Sequence, residues 1–134
     1  MKKKIFLACL VALMSTTPVY SYTGECKGGT IITANDGKTT FCRSNVQMNW
    51  WSAQAWCQVN GSRLATIYEM CPSWDGNTGS DKCPELKGPD GSDSKYRWSS
   101  TVNGNDKAFV LYPSNGLVDV NERKTTSFRY AFCL

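Results

Sequence analysis

The side chains best suited to chemistry here are aromatic rings and oxygen-bearing groups in and around one long polar stretch. Residues 72–95 are mostly Gly, Pro, Ser, Asp and Asn, punctuated by Trp74, Cys83 and Leu86. A stretch this long without regular structure is uncommon in a compact domain and is often functional. Trp74 lies inside it, Tyr96 follows it, and Tyr112 flanks a later strand. Together with Asp90, Asp93 and Asn105 they form a candidate ligand surface. Rings stack on sugar faces or anchor protein interfaces, and neighbouring amides and carboxylates fix orientation. The competing reading of Trp74 is that it merely covers the core beneath the loop.

Other chemistries fare less well. Asp75-Gly76-Asn77-Thr78-Gly79-Ser80-Asp81 with Glu85 spaces oxygens somewhat as a calcium loop does, and Asp90, Asp93 and Asp106 add more. The glycine of such a loop is displaced, however, and the closing acid comes one residue early. Acids among Gly and Ser are more often simply solvated, so no metal ligand is assigned. The chain has no histidine, which removes Ser–His and Cys–His nucleophiles. With no C-x-x-C either, zinc is disfavoured. Glu69 with Asp75 or Glu85 is the one carboxylate pairing near the loop that could serve acid–base hydrolysis of a glycan. Surface acids explain these residues more simply, so no catalytic residue is assigned and no cofactor is expected.

The first residues set the compartment. Met1-Lys2-Lys3-Lys4 is basic, Ile5 to Met14 is a short apolar core, and Val19-Tyr20-Ser21 suits a cut after Ser21. This reads as a secretory signal peptide over residues 1–21, too short for a membrane span. Cys9 is discarded with it. Its removal takes three lysines and no acid, leaving 12 basic against 11 acidic residues. The processed chain is therefore near neutral, with no basic run of the kind that grips nucleic acid. No further apolar run suggests a transmembrane segment after cleavage, and the expected location is secreted, periplasmic or cell-surface.

Residues 22–134 fit one domain. They keep six cysteines, an even number that implies disulfides in an exported chain. Counting alone does not choose among the connectivities. Our choice is Cys26–Cys42 and Cys71–Cys83, which close short loops, and Cys57–Cys133, which closes most of the domain.

Several elements must position these groups. Asn49 can cap a helix in which Trp50, Ala53, Gln54 and Cys57 share one stripe. Trp51 falls off that stripe and is expected half exposed, and Gly61 suits the left-handed residue past the helix end. Thr30–Thr33 and Thr39–Cys42 read as a hairpin about the turn Asn35-Asp36-Gly37. Residues 96–101, 108–112, 117–120 and 127–133 read as strands of a C-terminal antiparallel β-meander. The chain as a whole is α+β.

The helix and the closing strand resemble those of a C-type lectin-like domain. Such domains carry W-x-x-A-x-x-x-C-x-x-x-G-x-x-L, which stands here as Trp50, Ala53, Cys57, Gly61 and Leu64. The resemblance implies that the helix cysteine pairs with one in the last strand, as Cys57 with Cys133. It implies a second pair on an N-terminal hairpin, as Cys26 with Cys42. Trp98-Ser99-Ser100, Gly116 and Arg129-Tyr130-Ala131-Phe132-Cys133 are similar to compact bacterial relatives of the fold. The family's calcium-dependent sugar site uses Glu-Pro-Asn or Gln-Pro-Asp with Trp-Asn-Asp, and none of these triplets occurs here. The resemblance thus implies a fold without that sugar chemistry. The expected function is an exported binding module for an extracellular protein or glycan. The alternatives are a carboxylate-based glycan hydrolase and a structural subunit of a surface assembly.

Overall fold

The computed structural model describes residues 19–88 and 95–134, apart from the side chain of Asn121. Residues 1–18, most of the stretch expected to be a signal peptide, and residues 89–94, including Asp90 and Asp93, lie outside the described residues. The elements run β1 (Gly29–Thr33), β2 (Thr40–Met48), α1 (Trp50–Val59), α2 (Ile67–Met70), a single 3-10 turn (Pro84–Leu86), β3 (Arg97–Asn103), β4 (Lys107–Tyr112), β5 (Leu117–Arg123) and β6 (Arg129–Cys133). The architecture is α+β, with one main helix beside a six-stranded sheet.

Local chemistry explains the ends of these elements. In the β1–β2 turn, the Asp36 carboxylate accepts the amides of Lys38 (2.8 Å) and Thr39 (2.9 Å) and the Thr39 hydroxyl (2.6 Å). The Thr39 hydroxyl, then those amides, hold its carboxyl below the usual aspartate range. Gly37 turns the corner at φ +70°. At the start of α1, Asn49 Oδ1 accepts the Ser52 amide at 2.8 Å, and Trp50, Ala53 and Cys57 face inward. Past its end, the Ser62 amide and hydroxyl both donate to the Cys57 carbonyl at 2.9 Å. At α2, Thr66 and Glu69 cap each other reciprocally.

The sheet order is β1-β2-β6-β3-β4-β5. This corrects the expected four-stranded meander. Strands β3, β4 and β5 do form one, but β6 leaves β5 and inserts between β2 and β3. It runs antiparallel to β2 (Cys42↔Cys133, Met48↔Arg129) and parallel to β3 (Arg97↔Tyr130). The physical reason is burial. Ala131, Phe132 and Cys133 are all inaccessible, and the central place pairs the β6 backbone on both sides while α1 and the two apolar clusters cover its faces. Strand β2 is also longer than the sequence suggested. It bends between Arg43 and Gln47, where the Ser44 hydroxyl oxygen accepts the Ala131 amide at 2.8 Å.

Alternation along the strands sorts the apolar side chains into two clusters. Trp98, Ala108, Val110, Ala131 and Cys133 pack with Trp50, Ala53 and Cys57 of α1. Phe41, Leu111, Val118 and Phe132 pack with Ile67, Met70, Trp74 and Leu86. The disulfides are Cys26–Cys42, Cys57–Cys133 and Cys71–Cys83, the same pairs as were chosen from the sequence. The second fastens α1 to β6. No helix among the described residues is long and apolar enough to cross a membrane.

Residues 72–88 are not a free loop. The amide of Gly79 donates to the Val118 carbonyl, that of Asp81 to Asn115, those of Lys82 and Cys83 to Gly116, and that of Gly88 to Pro113. The segment is thus laced to the β4–β5 hairpin. Gly116 permits this close approach: it stands at φ +65°, and a Cβ there would meet the Cys83 carbonyl oxygen at 3.1 Å.

Candidate functional site

Register brings two of the sequence candidates together. Arg97 pairs with Leu111 across β3 and β4, so the next residues outward, Tyr96 and Tyr112, sit side by side. Their rings stack at 4.5 Å with an interplanar angle of 16°. Strand β6 supplies the rest. The Tyr130 amide donates to the Tyr96 carbonyl at 2.9 Å, which sets Arg129 beside the pair. The Arg129 guanidinium lies 4.9 Å from the centre of the Tyr96 ring, and its Nη2 donates to Glu122 Oε1 at 2.8 Å. Tyr130 extends the patch, with Lys95 Nζ 5.9 Å and the Arg43 guanidinium 5.8 Å from its ring centre.

The electrostatics of the patch are mixed. Burial pushes the Tyr96 phenol up, and the nearby Asp119 carboxylate adds to this, so it stays protonated at physiological pH. All three tyrosines are half-buried. Each keeps a polar tip able to donate or accept, while a guanidinium and carboxylates stand alongside. Such an arrangement can stack on a sugar ring or clamp an aromatic or charged side chain. Arg129, Glu122 and Tyr130 were not among the sequence candidates. The signal that could have found them is the pattern Arg-Tyr-Ala-Phe-Cys, but it depends on knowing that β6 lies against β3.

Trp74 requires a correction. It is only 9% exposed and belongs to the cluster on the other face of β4 from Tyr112. Its ring meets Tyr68 (5.0 Å) and Phe109 (5.2 Å), and its indole N–H donates to the Asn77 carbonyl at 2.7 Å. Those contacts cover the core under the loop and leave no open face for stacking. Trp51, by contrast, is half exposed, and its ring meets Trp50 edge-on at 4.8 Å. Asn105 is also separated from the tyrosines. It is exposed in the β3–β4 turn, at the opposite end of strands that rise about 3.3 Å per residue, which places it about 20 Å away. The loop bearing Asp90 and Asp93 leaves the described structure at Gly88, bonded to Pro113, and re-enters at Lys95 beside Tyr130. Its two flanks therefore border the tyrosine patch.

Four of the acids considered for calcium or catalysis are held by different partners. Asp75 pairs with Lys82 at 2.8 Å, Asp81 pairs with Lys87, and Glu85 Oε1 accepts the Ser73 amide at 2.8 Å. Hydrogen bonding from Lys82 holds the Asp75 carboxyl at about 2. Glu69 takes Arg63 in a two-pronged contact, 2.6 Å at each oxygen. Burial pushes the Glu69 carboxyl up, but Arg63 and the Thr66 amide outweigh it and leave it below the ordinary value. No group of three metal-ligating side chains gathers among the described residues.

No protein-family model matches this chain, and a search of curated proteins finds no match either.

Proposed function

We propose that the chain is an exported binding module of C-type lectin-like architecture that recognises an extracellular protein or glycan without calcium. The observation that carries the ligand site is the stacked Tyr96–Tyr112 pair, flanked by Arg129 and Glu122. Stacked, partly exposed tyrosines with satisfied polar neighbours give a rigid amphipathic surface at little entropic cost. Two features support the architecture: the bond from α1 to the last strand, and the hairpin bearing its own bond. Three disulfides and a signal-like start support export. Metal-free recognition is supported by Asp75, Asp81, Glu69 and one oxygen of Glu85, which are engaged by a cation or an amide. The reading assigns no catalytic role.

The test is a glycan array together with a bait pull-down using the oxidised protein, repeated with Tyr96→Ala and Tyr112→Ala. Each replacement should lower ligand affinity at least tenfold while leaving the unfolding midpoint within about 1 M urea of the parent. Retained binding by both variants, or abolition of binding by a calcium chelator, would sink the proposal.

A further inference from the structure

A cavity of about 480 Å3 lies between the β1–β2 turn and α2. Asp36 and Thr39 of the turn, Tyr68 and Glu69 of α2 and Glu85 of the 3-10 turn line it, together with two residues of the leader, Val19 and Tyr20. The leader lies alongside the hairpin as an added strand would. The Thr40 amide donates to the Tyr20 carbonyl at 3.0 Å, and the Tyr22 amide donates back to the Thr40 carbonyl at 3.1 Å. Between them, the Ser21 and Thr40 hydroxyls meet at 3.3 Å.

A cut after Ser21 divides this arrangement unevenly. It takes the Tyr20 carbonyl away from the Thr40 amide and removes two residues from the cavity wall. The Tyr22 nitrogen stays, now as an ammonium, on the Thr40 carbonyl and on Thr40 Oγ1 at 2.9 Å. Tyr22 is buried and its hydroxyl donates to the Asn60 carbonyl at 3.2 Å, so the new terminus remains fastened. We infer that the Thr40 edge, occupied before processing by the leader strand and vacated by its removal, forms with the adjoining cavity a groove for an extended basic peptide of a partner protein. The inference rests on the export reading.

Charge specifies the occupant. Asp36 is engaged by Thr39 and Lys38, and Glu69 by Arg63. Glu85 gives one oxygen to the Ser73 amide, but its Oε2 is buried with no hydrogen-bond partner among the described residues. A buried carboxylate oxygen left unmet is costly, so a donor supplied by the occupant is strongly favoured. The leader brings Tyr20 and Val19 to the cavity wall; neither gives that oxygen a hydrogen bond, and Val19 has no polar group to offer. A strand with Lys or Arg at that place pairs its carbonyl with Thr40 and its cation with Glu85, and this is strand addition with a charge to set register.

The experiment compares two oxidised chains, residues 22–134 and residues 15–134. The shorter one retains all three disulfides and both apolar clusters. The probes are a labelled peptide of residues 15–21 and its Val19→Lys version, read by fluorescence anisotropy and by amide exchange at Thr40. The Thr40 amide should exchange at least tenfold faster in the shorter chain and slow when the Val19→Lys peptide is added. That peptide should bind the shorter chain at least threefold tighter than the unaltered one. Glu85→Gln, which keeps an acceptor for Ser73, should erase the difference. Equal Thr40 exchange in the two chains, equal affinity of the two peptides, or equal binding by the longer chain overturns the inference. Sequencing the amino terminus of the exported protein tests the export premise separately. A retained leader removes that premise, and the two-chain comparison still decides whether the groove exists.

Discussion

Replacing both partners of the long bridge, Cys57→Ala with Cys133→Ala, should destabilise the protein more than removing either short one. The bridges span 76, 16 and 12 residues. If a disulfide acts chiefly by restricting the unfolded chain, its contribution grows as 1.5RT ln n, giving about 4.5 kcal/mol for the long bridge and about 3 kcal/mol for each short one. The gap between the long bridge and Cys71–Cys83 is then about 1.6 kcal/mol. Cys57, Cys133, Cys71 and Cys83 are all inaccessible, so the lost sulfur volume costs both variants alike and the gap survives. Domains of this size have about 5–15 kcal/mol in total, so the long bridge accounts for about a third or more of it. Urea titration followed by tryptophan fluorescence is the assay. With a slope of about 1–1.5 kcal/mol per molar, its midpoint should fall about 1–1.6 M below that of the Cys71→Ala/Cys83→Ala variant. Equal midpoints, or the reverse order, would refute the reasoning that α1 and β6 are held mainly by this closure.

Trp74→Ala should cost about 3–5 kcal/mol, because it removes a buried ring packed on Phe109 and Tyr68. Ligand affinity of the folded fraction should be unchanged, and a variant as stable as the parent in urea would contradict the buried placement. The Asp75 carboxyl, held at about 2 by Lys82, should move up toward 3.8 in Lys82→Ala, read by carbon NMR titration. Because Glu69 is held below its ordinary value of 4.5, it stabilises the fold above that pH and loses the effect as pH falls through the lowered folded value. Glu69→Gln should therefore cost about 1 kcal/mol at neutral pH, and that cost should shrink as pH drops from about 6 toward 3. A difference that stays constant over this window in urea titrations at stepped pH would show that the Arg63 contact does not act through charge.

Local signals were legible and long-range ones were not. Asn49 with Gly61, and Asn35-Asp36-Gly37, announced their helix and hairpin because capping and turn geometry depend on a few adjacent residues. The strands from 97 to 123 were read to within a few residues for the same reason. The place of β6 could not be read, since alternation states which face a residue occupies and not which strand lies beside it. That gap hid the contribution of Arg129 and Tyr130 to the tyrosine patch. Trp74 was misleading because its neighbours in sequence are polar, whereas its neighbours in space, Phe109 and Tyr68, come from a strand and a helix on either side of the loop.

The third strand of the sheet is the last to be synthesised. Until Arg129–Cys133 arrives, the hairpin β1–β2 and the meander β3–β5 have no common neighbour, and Cys57 has no sulfur to meet. A partly made chain therefore has no finished sheet. Completion waits for β6, whose docking joins the two halves and supplies the thiol that seals them.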